Sequence, residues 1–395
     1  MKTKTWKINK LKEVCEILDN KRVPISQKNR ISGIYPYYGA SGIVDYIDKY
    51  IFDEELVLIG EDGAKWGAFE NSAFIVNGKY WVNNHAHILK PNNKILINKF
   101  LVYFLNYSNL EKYITGATVK KLNQQKLKQI EIPLPQLKEQ ERIVGILDES
   151  FAKIDESIKT LEQDLINLDE LMQSALQKAF NLLKDNAKEN YKLPQGWEWK
   201  SLGEISNLIQ NGFAASKNNE IPSGYVHLRT HNISTDGNLN FDTLIKIKRE
   251  FIKEKQSFIE KNDILFNNTN STELVGKTAL VTQNYNYAFS NHLTKIKLKN
   301  QYNSKLVVFY FVLLLKNKYF EKICHQWIGQ SGINIDKLKK IQIPLPPLKE
   351  QEQIASHLDE LSSHVKNLKQ NYQAQIKDLQ ELKKSLLDKA FKGNL

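Results

Sequence analysis

The chain has 395 residues, 41% of them hydrophobic and 25% charged, with a formal net charge of +12, which suits a globular protein of at least two domains. No stretch approaches ~18 consecutive apolar residues, and the start MKTKTWKINK lacks the apolar segment of a signal peptide, so neither export nor a membrane span is expected and the cytoplasm is the expected compartment. Cys15 and Cys324 are the only cysteines, too few for a disulfide framework or a cysteine-based zinc site.

In chain order, residues 1–135 carry a net +7 and form a first head. Its segments YPYYGASGIVDYIDKYIFDEELVLIGEDGAKWGAF from Tyr35 and NGKYWVNNHAHIL from Asn77 mix Gly turns with short runs rich in Ile, Val, Tyr and Phe, which reads as mainly β with tight turns. Residues 136–190 carry −5 and form a long helix. The prolines of Ile132–Pro135 give it an extended lead-in. Apolar residues then recur at Leu147, Phe151, Ile154, Ile158, Leu161, Leu165, Leu168, Met172, Ala175 and Ala179, the alternating steps of a heptad seam. A helix from Leu137 to Leu183 would be roughly 70 Å long at ~1.5 Å per residue.

Residues 191–346 carry +9 and form a second head. Strand-like runs beginning at Gly224, Asn262 and Ala288 are joined by polar loops, with a turn expected at Asp236-Gly237. Residues 347–395 form a second helix, introduced by IPLP at Ile343–Pro346, with a seam at Leu358, Leu361, Val365, Leu368, Tyr372, Leu379, Leu382 and Leu386. The two lead-ins are copies: IEIPLPQLKEQERIVGILDE from Ile130 and IQIPLPPLKEQEQIASHLDE from Ile341 agree at fourteen positions with an offset of 211. The same offset relates LMQSALQKAF at Leu171 to LKKSLLDKAF at Leu382. The chain is therefore two copies of one plan, each a head followed by a helix. The KEQE runs at Lys138 and Lys349 read as solvated first turns with acids near the helix N-terminus, or as a surface presented twice to a partner.

The positive charge sits in the two heads, where a polyanion could be gripped twice. Signals of catalysis fail. The GKT at Gly276–Thr278 lacks the earlier glycine of a phosphate loop, since Ser271 stands there. His85 and His87 alternate on a probable strand and point to opposite faces, which argues against a shared metal. Glu61 and Asp62 have no second acidic cluster to complete a nuclease site. Binding is favoured over catalysis.

The paired IPLPxLKEQE blocks, the GWEWKSLGEI segment at Gly196, and the YPYYGASGIVDYID and DILFNNTNSTELVGKTAL segments resemble the DNA-specificity subunits of type I restriction-modification systems over nearly the whole chain. The resemblance implies an α+β molecule with a pseudo-twofold internal repeat: two mainly β or mixed target-recognition domains separated by two long antiparallel coiled-coil helices. It further implies that each domain reads one half of a bipartite double-stranded DNA site and that the helices set the spacing. This subunit would carry no cofactor and no catalysis. S-adenosylmethionine would belong to two modification subunits, and ATP and Mg to restriction subunits.

Base reading uses Arg and Lys toward guanine and Asn or Gln toward adenine. The polar loops nominate Tyr38, Lys65, Trp66, Asn83, Asn84 and His85 in the first head. In the second they nominate Arg229, Asn232, Asn267, Asn268, Thr269, Asn270 and Lys277. Lys120, Lys121, Lys295 and Lys297 are candidates for phosphates. Two alternatives stay open: a non-catalytic coiled-coil adaptor binding RNA or acidic proteins, and the recognition part of a fused methyltransferase-nuclease.

Overall fold

A computed structural model describes residues 6–180, 193–252 and 258–395. It divides into two compact units, Met1–Glu162 with Tyr372–Leu395, and Gln163–Asn371. Each unit thus contains one head with parts of both long helices.

The first unit begins with β1 (Lys7–Lys10), α1 (Leu11–Val14) and β2 (Cys15–Ile17). There follow β3 (Ser32–Gly39), β4 (Gly42–Ile47), β5 (Phe52–Asp53), β6 (Leu56–Gly60), β7 (Ala73–Val76), β8 (Lys79–Val82) and β9 (Ala86–Pro91). Then come α2 (Asn98–Tyr107), α3 (Gln124–Leu127), β10 (Glu131–Leu134) and the long α4 (Leu137–Ala179). One sheet has the order β2-β9-β6-β7 and a second the order β4-β3-β8-β5, with β3 and β8 parallel. Strand β6, LVLIG, is buried at every position because both faces are covered. Val57 and Ile59 join the core under α2 with Phe100, Leu101 and Leu105, whereas Leu56 and Leu58 join a second core with Phe52, Tyr80 and Ile88. Each such side chain contributes about 1.5–3 kcal/mol on full burial.

The second unit repeats this plan. It contains β11 (Glu198–Ser201), α5 (Leu202–Ile205), β12 (Ser206–Asn211), β13 (Glu220–Leu228), β14 (Lys246–Ile247), β15 (Ile264–Asn267), β16 (Thr269–Asn270) and β17 (Thr278–Leu280). It continues with β18 (Ala288–Phe289), β19 (Leu293–Leu298), α6 (Ser304–Lys316), α7 (Tyr319–Ile323), β20 (His325–Trp327) and β21 (Gln330–Gly332). It ends with α8 (Ile335–Lys339), β22 (Gln342–Leu345) and α9 (Leu348–Phe391). The sheet order β12-β19-β15-β17 matches β2-β9-β6-β7, and the parallel pair β13–β18 matches β3–β8. Glu198 stands opposite Leu345 in the β11–β22 ladder as Lys7 stands opposite Leu134 in β1–β10. Asn123 and Asn334 cap α3 and α8 alike, each side-chain oxygen accepting from the N–H three residues on at 2.9 Å. Helix α6 is buried from Leu306 through Leu314, and it follows that its sequence is apolar on all sides. The Asp236-Gly237 turn forms as expected, with Gly237 at φ +94.

The charges of the KEQE runs are solvated as expected, with Lys138, Glu141, Lys349 and Glu352 exposed, but the glutamine of each run is not. Gln140 and Gln351, in the middle of them, are buried. The Gln140 amide donates to Ile95 O and Pro135 O at 2.8 and 2.9 Å and accepts from Ile97 N at 2.9 Å. The Gln351 amide donates to Pro346 O at 2.8 Å and accepts from Asn303 N at 2.9 Å. The block recurs because it fastens each helix to the segment leading into α2 or α6.

Within each unit the segments of α4 and α9 run antiparallel. In the first, Lys383 pairs with Asp155 while Arg142 donates to Leu395 O at 3.0 Å. In the second, Lys369 pairs with Asp169 at 2.7 Å, while Leu176 and Phe180 share a core with Ala355 and Leu358. The α4 seam is present, with Leu147, Ile154 and Leu168 buried and Phe151, Ile158, Leu161, Leu165 and Met172 partly buried. The helix ends at Ala179, and residues 181–183 of the expected helix lie outside the described residues. On α9 the expected seam needs correction, because Leu368 and Leu382 are exposed. Lys369 and Lys383 take the adjacent inward positions, where each meets an aspartate of α4. Two seam positions are thus ion pairs, which a search for apolar residues misses.

Candidate nucleic-acid interface

In the first unit, β6 ends where a buried polar cluster begins. Glu61 N donates to His85 O at 2.8 Å, and Glu61 O accepts from Leu122 N at 2.8 Å, which joins three loops. Arg22 reaches the Glu61 carboxylate at 2.5 Å and Ala86 O at 2.9 Å, and Lys121 reaches the other Glu61 oxygen at 2.9 Å. His87 lies between Asp19 (Nδ1, 2.6 Å) and Leu122 O (Nε2, 2.5 Å). Burial opposes ionisation of Asp19, but His87, Ile88 N–H and the Gln124 amide outweigh it and hold the carboxyl below its ordinary value. Burial also opposes ionisation of Glu61, and there Lys121 and Arg22 prevail in the same direction. Donor atoms of Asp19, Glu61 and His87 lie within 4.8 Å of one another, as a metal would require. Arg22 and Lys121 both pair with the Glu61 carboxylate of this group. His85 leaves the cluster on the outer side and pairs with Asp62 at 2.5 Å, so the two histidines have different partners, in agreement with their alternation.

The first-head candidates separate by exposure. Asn84, His85 and Lys65 are exposed. Lys65 and Lys120 line one hollow of about 730 Å³, with Trp66 in its wall. Trp66 is buried and donates to Gly60 O at 3.0 Å; Asn83 is buried and accepts from His85 N at 2.7 Å. Tyr38 is half-buried, with its ring edge-on to Tyr80 at 5.7 Å. Trp66, Asn83 and Tyr38 therefore shape the loops that carry the exposed three.

In the second unit the same place is neutral. Asn268 N donates to His292 O at 3.0 Å, and Asn268 O accepts from Ile333 N at 2.9 Å. The Asn268 amide donates to Thr294 Oγ1 at 2.9 Å and Asn291 O at 3.0 Å, and Thr294 donates to Asn211 at 2.7 Å. Glu61, His87 and Asp19 are thus replaced by Asn268, Thr294 and Asn211. Asn267 is fully buried, and its amide is satisfied when the nitrogen faces Thr269 O and His292 O and the oxygen faces Asn270. Asn232 is buried and donates to Asn240 O and Thr243 O, both at 2.9 Å.

Lys277 is buried with Nζ on Thr230 O at 2.9 Å, and burial lowers its pKa. Its GKT forms a turn into β17 where Gly276, at φ +95, lies against the Phe320 ring, and any Cβ there would stand 2.3 Å from that ring. Half-buried Arg229 donates to Ala215 O at 3.0 Å. Thr269 and Asn270 remain partly exposed. Lys295 is buried on Phe258 O at 2.9 Å, whereas Lys297 is exposed and pairs with exposed Glu260 at 2.5 Å.

Sequence reasoning passed over Asp19 and Arg22, and also the β20–β21 hairpin. Aligning the heads by the offset of 211 would have exposed the hairpin, because it sets HQWIGQSG from His325 against ITGATVKK from Ile114.

Comparison with known proteins agrees with this duplicated architecture. The family model "Type I restriction modification DNA specificity domain" matches residues 3–166 and again 194–378. The chain belongs to that family. The two matches fall on the two heads with their adjoining helices, and neither the adaptor nor the fused-enzyme reading is supported. A putative type I restriction enzyme specificity subunit of Haemophilus influenzae is 31% identical over 369 residues, covering 91% of this chain and 87% of the relative. The fold is shared with a chain solved in a study of assembly and conformational transition of the type I system (TM-score 0.74, 20% identity, 99% of both chains). It is also shared with the HsdS subunit of Thermoanaerobacter tengcongensis (TM-score 0.56, 20% identity, 99% of this chain and 98% of that one). Specificity family members of this kind carry two target-recognition domains, and the two heads described above are those of this chain. Among the described residues, no helix is long and apolar enough to cross a membrane.

Proposed function

We propose that this chain is the non-catalytic, DNA-reading subunit of a cytoplasmic type I restriction-modification complex. Its recognition segments, 1–135 and 191–346, each read one half of a bipartite site. The helical segments, 136–190 and 347–395, set the spacing and dock two modification subunits. The observation that carries this reading is one fold used twice with unlike chemistry at the same places: Glu61 and Asp62 in one unit stand where Asn268 and Thr269 stand in the other. A shared scaffold with different polar tips is what two different half-sites require. Trp66, Asn83, Asn232, Asn267, Asn268 and Lys277 support those tips from beneath, and Tyr38 supports them from the adjoining sheet. S-adenosylmethionine is assigned to the modification subunits, and ATP and Mg to the restriction subunits. The test is sequencing of methylated adenines in cells carrying the modification subunits with and without this chain. A gapped, two-part motif that vanishes with the chain supports the reading, and an unchanged methylation pattern overturns it.

A further inference from the structure

The hairpin of β20 and β21 is anomalous for a turn in water. Its tip, Trp327-Ile328-Gly329-Gln330, would ordinarily hold Gly, Asn, Asp or Ser. Instead Ile328 has a relative exposure of 107% and Trp327 one of 55%. Gly329 supplies the positive φ, +78, that closes the turn. Neither apolar side chain projects into the core, yet the indole is held in place. One side of it lies on Gly332, where an added Cβ would stand 2.8 Å from the ring, and its edge meets His325 at 4.9 Å between centroids. An aromatic ring is thus oriented in advance beside an exposed aliphatic tip.

The hairpin shares a sheet with the polar tip of the second recognition domain. Strand β21 pairs with β16, Thr269 opposite Gly332 and Asn270 opposite Ser331. Thr272 and Ser331 hydroxyls lie 2.8 Å apart and fix the loop to the finger. The flanking helices α7 and α8 bring Lys322 and Lys337 to the base of the hairpin, where Lys337 Nζ reaches Ile323 O at 2.8 Å. An element beside base-reading groups, basic at its root and apolar at its tip, suits a duplex whose phosphates flank an apolar stack of bases.

The equivalent loop of the first unit carries no aromatic ring, and its exposed apolar side chain is the smaller Val119. There Asp62 bridges to Lys121 as Thr269 does to Gly332, and Thr115 bridges to Lys121 as His325 does to Gly332. The segment between is one residue shorter, and Ala117 and Thr118 stand at its turn.

We propose that Trp327 and Ile328 form a wedge that opens a base step at the second half-site, Ile328 inserting between bases and Trp327 stacking on the exposed face. This rests on the DNA-reading function above and adds how one half-site is held. Apolar wedges partly unstack a step, and an aromatic face binds the base so freed. Recognition of that half-site would then depend on how easily its step deforms, which favours a pyrimidine–purine step.

The test uses the full chain assembled with its modification subunits, on duplexes bearing the methylated motif, with a fluorescent adenine analogue placed at successive positions. Ile328→Ser is the main variant because its side chain is fully exposed; Trp327→Ala is the second, with thermal unfolding as the control on folding. The expected result is a rise in fluorescence at one step of the second half-site that disappears in Ile328→Ser, with affinity falling roughly tenfold. The first half-site gives no signal that responds to either variant. If the complex binds and methylates the motif but fluorescence and affinity are the same in both variants, the wedge is overturned and the DNA-reading function stands. If no gapped motif depends on the chain, that function fails and the wedge fails with it.

Discussion

Glu61 and Asn268 hold the same place in two copies of one fold, each donating its N–H to the carbonyl of a histidine, His85 or His292, and accepting an N–H from Leu122 or Ile333. The backbone pattern is common and the side chains are not. Around Glu61 the cluster is ionic, with Arg22 and Lys121; around Asn268 it is neutral, with Thr294 and Asn211.

That contrast predicts opposite sensitivities. Glu61→Gln deprives Arg22 and Lys121 of their carboxylate and is expected to destabilise the first unit by about 2–4 kcal/mol, while Asn268→Asp places an uncompensated carboxylate beside Asn291 O and destabilises the second unit comparably. Urea unfolding of each variant reads the effect. A change below about 0.5 kcal/mol in either would be the size of an ordinary surface substitution and would discard the account.

Gln140→Ala and Gln351→Ala each leave buried backbone groups without partners and are expected to cost about 1–3 kcal/mol. Gln140→Glu should be no better, because a carboxylate cannot donate to Ile95 O and Pro135 O. Hydrogen exchange at the first turns of α4 and α9 is the measurement, with protection expected to drop in the affected unit alone.

His227 gives the second unit a pH dependence. Burial, reinforced by the Arg229 charge, lowers its pKa from 6.5 to about 4, while Nε2 stays bonded to Phe213 O at 3.1 Å and buried Nδ1 lacks a partner. The unfolded chain therefore binds the proton more readily than the folded one. Stability is full above pH 6.5 and is lost as pH falls toward about 4, by roughly 3 kcal/mol in all. Denaturation of the wild type and of His227→Gln at pH 7.5 and 4.5 should show a smaller loss in the variant.

Replacing Asn84 and His85 together should alter only one half of the methylated motif, and replacing Thr269 and Asn270 together only the other. Each base contact removed is expected to relax discrimination by about 1–3 kcal/mol at its position. Methylated-adenine sequencing of both variants decides it; simultaneous change in both halves would mean that the loops are not read independently.

Residues 130–149 and 341–360, read as a sequence, determined the duplication, the helix starts and hence the two-headed plan, because heptad spacing and proline punctuation are local properties. The head segments beginning at Tyr35, Asn77, Gly224 and Asn262 likewise marked where the polar loops lie. Which loop residues face outward was not legible. Asn268 and Asn270, two residues apart in one polar run, differ in role because the first is drawn under His292 and Ile333 while the second stays partly exposed. Likewise Lys369 and Lys383 sit inward only because Asp169 and Asp155 meet them there. Burial and pairing of polar groups depend on partners distant along the chain, and only the tertiary structure brings those partners together.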